Sequence, residues 1–159
     1  MRFGFATYAL MLSIILYGVL LGGVVYAHMV FFPVYLSHLP ESAAVVNGPY
    51  PIEEGIFWMT IHPLLVLSLM VSLIANWRTA RRNLIAATLG WYVVVLIISS
   101  LYFIPQLGEF QQSINSTPSP DWVERGHRWQ HLSWIRGASL FVFSVPLLFA
   151  LAKPGDEAR

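Results

Sequence analysis

Four long apolar runs limit the folds that this chain can adopt. They cover residues 5–32, 56–75, 84–104 and 132–152. A helix needs about 20 apolar residues to cross the hydrocarbon core of a bilayer, and each run reaches that length. Helices satisfy their own backbone hydrogen bonds in lipid, and the runs lack the alternation of a barrel strand. The sequence therefore predicts an all-α integral membrane protein, a single four-helix bundle over residues 1–159.

The composition narrows the possible partners. Only 11% of the residues are charged and the formal net charge is +1, which argues against a role with nucleic acid. The chain has no cysteine, so disulfides, thiolate metal sites and cysteine nucleophiles are excluded. We expect three kinds of partner: the lipid bilayer, a hydrophobic small-molecule substrate, and further copies of the chain or a larger membrane complex.

The short loop between the second and third runs sets the predicted orientation. It carries Arg78, Arg81 and Arg82, and by the positive-inside rule it lies in the cytoplasm. Both termini are then cytoplasmic as well, and all five histidines fall in the outer half of the membrane. A bacterial inner membrane is the expected location.

The densest set of polar side chains opens the fourth run. Ser119 and Pro120 predict the start of a helix, as N-cap and first helical residue. On that helix Glu124, His127 and His131 lie at i, i+3 and i+7 and share one face. The Glu-x-x-His and His-x3-His spacings each let two side chains reach one cation.

Two further histidines are candidates because they lie inside apolar runs. His28 is near the end of the first run, and an ionisable residue in a span is a functional candidate by default. Glu54, Trp58 and His62 are spaced i, i+4 and i+8, so they share a face of the second helix. His62 lies roughly 15 Å into that helix, at 1.5 Å per residue, and Pro63 should loosen the backbone beside it.

These side chains predict a metal site in the outer half of the bundle, because imidazole and carboxylate suit copper, iron and zinc. The predicted metal ligands are His28, His62, His127, His131, Glu54 and Glu124. The predicted catalytic residues are His62, Arg136 and Glu124. Arg136 would stabilise a developing oxyanion, and without a metal His62 or His131 would be the general base.

Arg136 needs a partner, since it lies about one turn inside the fourth run. Glu53, Glu54 and Glu109 are nearest to it by depth and are its predicted partners. The Gly18–Gly22 spacing predicts a close helix contact.

A simpler interpretation treats these polar and aromatic residues as an interfacial layer. Four tryptophans would then form an aromatic belt at the membrane surface. They are Trp58, Trp122, Trp129 and Trp134. The third run, with Tyr92 and Tyr102, is interpreted mainly as packing, and Pro105 is expected to end its helix.

Three segments carry a resemblance to a known family. They are GVLLGGVVYAHMVFFPVYLSHLP in the first run, YFIPQL after the third and RWQHLSWIRGASLFVFSVPLL in the fourth. With Arg128-Trp129 and Trp134-Ile135-Arg136 opening the fourth run, the chain resembles the anthrone-oxygenase-like family of small four-span membrane proteins. The resemblance implies oxygenation of a polycyclic phenolic anthrone, or a relative of unknown activity. Taken with the candidate residues, it favours an oxidoreductase that works either with a metal or without a cofactor.

Other functions remain open at this stage. Facing histidines on two helices could hold a haem, or the chain could be an accessory subunit of a larger membrane complex. A small transporter is the third hypothesis, although the inner half of the predicted spans carries no ionisable residue.

Overall fold

The computed structural model describes residues 4–115, 117 and 120–154, and all regular secondary structure in this part of the chain is helical. In chain order the α-helices are α1 (Phe5–Tyr26), α2 (Phe32–Tyr35), α3 (Ala44–Asn47), α4 (Glu54–Ala75), α5 (Arg82–Ile98), α6 (Ile104–Gln112) and α7 (Pro120–Ala152). Single 3₁₀ turns cover Glu41–Ala43 and Ser113–Asn115. The predicted N-cap, Ser119, lies outside the described residues.

Four stretches are long and apolar enough to cross a membrane, which we call spans 1 to 4. They are Phe5–Tyr35, Glu54–Ala75, Arg82–Asn115 and Asp121–Ala152. The predicted all-α bundle of four apolar helices is confirmed, and it supports an integral membrane protein. Spans 1 and 3 extend beyond the apolar runs from which they were predicted.

Two π-helical turns explain how spans 1 and 3 continue. They lie at Ala27–Phe31 and Ser99–Phe103, and each is followed two residues later by a proline, Pro33 or Pro105. Proline has no N–H and its ring crowds the preceding turn, whereas a π-helical turn widens the helix and rearranges these hydrogen bonds. Span 3 therefore passes through Pro105 to the end of α6, and the prediction that Pro105 ends the helix was wrong.

The four spans pack in a ring, in which span 1 and span 3 each contact spans 2 and 4. The aromatic side chains of Tyr17 and Tyr92 meet inside the bundle, and the centroids of their rings are 5.8 Å apart. Tyr17 donates a hydrogen bond from its hydroxyl to the carbonyl of Leu140 at 3.1 Å. Aliphatic side chains fill the rest of this core, among them Leu10, Leu20, Leu65, Leu69, Ile85 and Leu147.

A second hydrophobic cluster covers one end of the bundle, which we call the cap. It is built by the ends of spans 1 and 3, the loop after span 1 and the start of α7. Its buried members include Phe31, Phe32, Tyr35, Leu39, Phe103, Phe110 and Trp129. Trp129 is 1% exposed and donates its indole N–H to the carbonyl of Phe103 at 3.1 Å. This tryptophan belongs to the core and not to a lipid-facing belt.

At the end of the bundle opposite the cap, the buried side chain of Arg81 connects span 1 to the end of span 4. Its guanidinium donates to the carbonyl of Lys153 through Nε at 3.0 Å and Nη2 at 2.8 Å, and to Thr7 Oγ1 at 2.9 Å. Asn76 donates to the carbonyl of Ala6 at 2.9 Å. The loop between spans 2 and 3 thereby holds the first turn of span 1 and the last turn of span 4 together.

The close approach of spans 1 and 2 falls at Gly23. A Cβ atom there would overlap the ring of Phe57. At Gly18 and Gly22 nothing lies within 4 Å of the position that a Cβ atom would take. The predicted Gly18–Gly22 contact was therefore wrong, because these two glycines face open space at the surface of span 1.

Candidate functional site

Arg136 is the centre of a polar network inside the bundle, on the side of the cap. Its Nη1 donates to Ser99 Oγ and its Nη2 to Ser133 Oγ, each at 2.9 Å. Its Cζ lies 4.2 Å from the centroid of the Phe103 ring, a cation–π contact. Ser99 in turn donates to the carbonyl of Val95 at 2.7 Å, so its hydroxyl presents only a lone pair to the guanidinium.

Arg136 has no carboxylate partner among residues 4–115, 117 and 120–154. Glu109 forms an ion pair with Arg125 on the surface of the cap. Glu54 accepts a hydrogen bond from an indole of its own helix, and Glu53 is exposed. The predicted pairing with one of these acids was wrong. The guanidinium contacts two hydroxyl groups and an aromatic ring, and no carboxylate in the described part of the chain balances its charge.

The hydrogen bonds of His28 fix where its proton lies. Nδ1 is 2.7 Å from the carbonyl oxygen of Val24, which can only accept, so Nδ1 carries the proton. In the neutral imidazole Nε2 then accepts from the hydroxyl of Ser133 at 2.9 Å. Each group in this chain of hydrogen bonds donates to the next: Arg136 donates to Ser133, Ser133 to His28, and His28 to the carbonyl of Val24. His28 is 2% exposed, and both of its ring nitrogens are hydrogen-bonded.

His62 and Tyr92 form a second polar pair, between spans 2 and 3. The Tyr92 oxygen is 2.6 Å from His62 Nδ1. Tyr92 is fully buried, and the described residues offer its hydroxyl no other acceptor. An unsatisfied buried O–H costs about 1–3 kcal/mol, so the hydroxyl donates to Nδ1 and the imidazole proton lies on Nε2.

Trp58 connects this pair to the surface of the bundle. Its ring stacks on that of His62 with the centroids 5.8 Å apart, and its Nε1 donates to Glu54 Oε2 at 3.3 Å. The predicted common face of these three residues is confirmed by these contacts. The helix runs without a break from Glu54 to Ala75 with Pro63 inside it, and the predicted loosening of the backbone beside Pro63 stays a prediction.

The other predicted site residues lie on the outside of α7. Glu124, His127 and His131 are exposed, and Glu124 pairs with Arg128 at 3.6 Å. On a continuous α-helix, 12 residues separate Glu124 from Arg136 by about 18 Å. Glu124 is therefore distant from the Arg136 network, and its catalytic role stays a prediction.

The structure does not bring the six predicted metal ligands together. No three histidine, aspartate or glutamate side chains in the described part of the chain are grouped so that they could hold a metal ion. His28 and His62 are in separate hydrogen-bonded pairs, and His127 and His131 are on the exposed face. Binding of copper, iron, zinc or haem stays a prediction.

Sequence reasoning missed the hydroxyl groups of the network. Ser133 lies three residues before Arg136, a spacing that places both on one helix face, and this signal was available. Ser99 and His28 both lie in π-helical turns, which often occur at functional sites. Tyr92 was interpreted as packing, although a buried tyrosine needs a partner for its hydroxyl.

Comparison of the chain with models of protein families, with curated proteins and with solved structures finds no match. The resemblance to the anthrone-oxygenase-like family therefore stays a prediction.

Proposed function

We propose that the chain is a membrane-embedded oxidoreductase of an oxygenase-like type, which acts on an apolar aromatic substrate and stabilises its anionic oxygen at Arg136. One observation carries the proposal: the guanidinium in the bundle has hydroxyl and ring partners but no counter-ion among the described residues. A charge within a span is costly and marks a functional position by default. An enolate or phenolate oxygen formed in the reaction supplies the missing negative charge.

The surroundings of the network suit a flat apolar substrate. Phe103 lies against the guanidinium, Trp134 packs on His28 at 4.8 Å between centroids, and Trp58 stacks on His62. Aromatic faces of this kind pack well on other rings. They favour an aromatic substrate over an aliphatic one.

His62 is the proposed general base. The His62–Tyr92 pair accommodates both imidazole tautomers, because the phenolic oxygen can accept as well as donate. The pair must first leave its resting arrangement, in which Tyr92 donates to Nδ1 and the imidazole proton lies on Nε2. In the other tautomer Nδ1–H donates to Tyr92, and the lone pair of Nε2 can take a proton from an acidic C–H that is conjugated with the substrate carbonyl. The resulting enolate oxygen is placed against Arg136.

Dioxygen is the required co-substrate. It takes the electron pair of the enolate and forms a C–O bond with the substrate carbon, and the proton returned from His62 to the outer oxygen completes a hydroperoxide. Loss of water from the peroxide then removes the second oxygen atom and leaves a new carbonyl group, so a CH₂ group and O₂ give C=O and H₂O.

The test is dioxygen uptake by the purified protein in mild detergent with anthrone as the probe. We expect uptake above the spontaneous rate for the wild type, and a fall of about 100-fold or more for Arg136→Gln, typical of the loss of an oxyanion donor. Arg128→Gln is the matched control, because Arg128 is an exposed arginine of the same helix that pairs with Glu124. Equal rates for the wild type and Arg136→Gln would overturn the proposal.

A further inference from the structure

A groove runs along the surface of the bundle between spans 1 and 2. It begins at Tyr26 and Ile52, near the cap, and reaches Val19, seven residues or about 10 Å further along α1. Gly22 and Gly23 line the middle of the groove, and the missing side chain of Gly22 leaves open space there, whereas the ring of Phe57 packs against Gly23. Its volume is about 410 Å³.

One end of the groove is charged and the rest is apolar. Of the described residues that line the groove, Glu54 alone is charged, and it is the first residue of α4, where span 2 begins. Its Oε2 accepts a hydrogen bond from the indole N–H of Trp58, whereas Oε1 has no hydrogen-bond partner among the described residues. A ligand that fits this arrangement has a hydrogen-bond donor with positive charge at one end and an apolar chain at the other.

We infer that the groove binds a phospholipid with a primary ammonium headgroup, such as phosphatidylethanolamine. The ammonium group carries three N–H donors, and one of them can reach the free oxygen of Glu54 in a charge-assisted hydrogen bond. An acyl chain then lies along Gly22 toward Val19, parallel to the chains of the surrounding bilayer.

The chemistry of Glu54 selects among headgroups. A choline headgroup has the positive charge but no N–H to donate, so it loses the hydrogen bond. A glycerol headgroup leaves the lipid with a net negative charge, and the groove offers no basic side chain to balance it beside the carboxylate. Phosphatidylethanolamine alone of these three meets both requirements.

The site is separate from the Arg136 network, and the inference does not depend on the oxidoreductase proposal. The two regions touch only through Trp58, whose ring lines the groove and stacks on His62. Lipid binding can therefore be tested without a substrate.

The experiment is native mass spectrometry of the full chain after equilibration with equal amounts of phosphatidylethanolamine, phosphatidylcholine and phosphatidylglycerol of identical acyl chains. We expect the wild type to retain phosphatidylethanolamine about tenfold over the other two, the factor typical of one charge-assisted hydrogen bond. Glu54→Gln should abolish this preference, since it removes the charge and keeps the shape. Equal retention of the three lipids by the wild type, or an unchanged preference in Glu54→Gln, would overturn the inference.

Two glycines provide a matched pair for the apolar part of the groove. Gly22→Leu fills the groove, while Gly18→Leu adds the same side chain one turn away, outside the lining. Neither substitution meets an atom within 4 Å of the new Cβ, so both variants are expected to fold. Lipid retention should fall in Gly22→Leu and remain at the wild-type level in Gly18→Leu. The same retention in both variants would contradict the proposed site.

Discussion

His28 on span 1 and Ser133 on span 4 are joined by a hydrogen bond of 2.9 Å, although 105 residues separate them in the chain. Ser133 also accepts a hydrogen bond from Arg136, so the buried imidazole and the guanidinium share one hydroxyl. Spans 1 and 4 are thus connected inside the membrane region by polar groups whose donors and acceptors match.

Removal of that hydroxyl should destabilise the bundle. Ser133→Ala leaves His28 Nε2 without a donor and Arg136 with one hydroxyl fewer, and a lost partner of a buried polar group costs about 1–3 kcal/mol. Thermal unfolding in detergent measures the effect. Ser144→Ala is the control, because the hydroxyl of Ser144 bonds to the carbonyl of Phe141 in its own helix. Equal midpoints for the two variants would show that the shared hydrogen bonds contribute nothing.

The two histidines inside the spans are expected to be opposite tautomers. His28 donates from Nδ1 to a carbonyl, whereas His62 accepts at Nδ1 from Tyr92. ¹⁵N NMR of histidine-labelled protein should report Nδ1–H for His28 and Nε2–H for His62, assigned with single His→Gln variants. In Tyr92→Phe the signal of His62 should change while that of His28 stays in place. Detection of one common tautomer would refute this assignment.

His62 and not His131 is expected to be the base. His62 contacts Trp58 and Tyr92 within the bundle, whereas His131 is exposed on the outside of α7. General-base catalysis contributes about 10²–10⁴-fold, so His62→Ala should reduce anthrone-dependent dioxygen uptake by that factor. His131→Ala should stay within twofold of the wild type. The reverse pattern would move the reaction to the surface of α7.

Arg81 should stabilise the end of the bundle opposite the cap. Its guanidinium satisfies the carbonyl of Lys153 at the end of span 4 and reaches Thr7 in the first turns of span 1. We expect Arg81→Ala to lower the free energy of unfolding by about 2 kcal/mol or more, since hydrogen bonds to charged groups are worth about 1.5–3 kcal/mol. Arg82→Ala is the comparison, because Arg82 is exposed and lies over the ring of Trp77. A similar loss in both variants would contradict the specific role of Arg81.

The course of the helices was predictable because it depends on apolar length alone. Four apolar runs of about 20 residues or more predicted the four spans, and each run lies inside the corresponding span of the structure. Their extensions were not predictable in the same way. A proline such as Pro105 signals a helix end by local rules, and only the neighbouring π-helical turn at Ser99–Phe103 lets the helix pass it.

The site was predictable only as a set of unusual residues. His28, His62 and Arg136 stand out because ionisable groups are rare in spans, and all three are in polar contacts inside the bundle. Their side-chain partners are serines and a tyrosine, residues that occur throughout apolar runs. The i, i+3 spacing of Ser133 and Arg136 was a local signal, whereas no spacing pointed to Ser99 on another span.

The predicted face of α7 points outward for a geometric reason. Trp129 and Ser133 are buried, and residues two positions away on a helix lie about 200° around the axis. His127 and His131 are therefore turned away from the core, although their mutual spacing was interpreted correctly as one face. Periodicity identified the face, but not the direction in which it points.

The most direct test of the central claim is the ionisation state of a bound probe beside Arg136. A hydroxyanthraquinone does not react further, and its phenol and phenolate forms differ in visible absorption. At pH 7 the wild type should bind the probe with the phenolate band, because the guanidinium supplies its counter-ion, while Arg136→Gln should show only the phenol band. The same phenolate band in both proteins, or none in the wild type, would contradict the assignment of Arg136 as the site of the anionic oxygen.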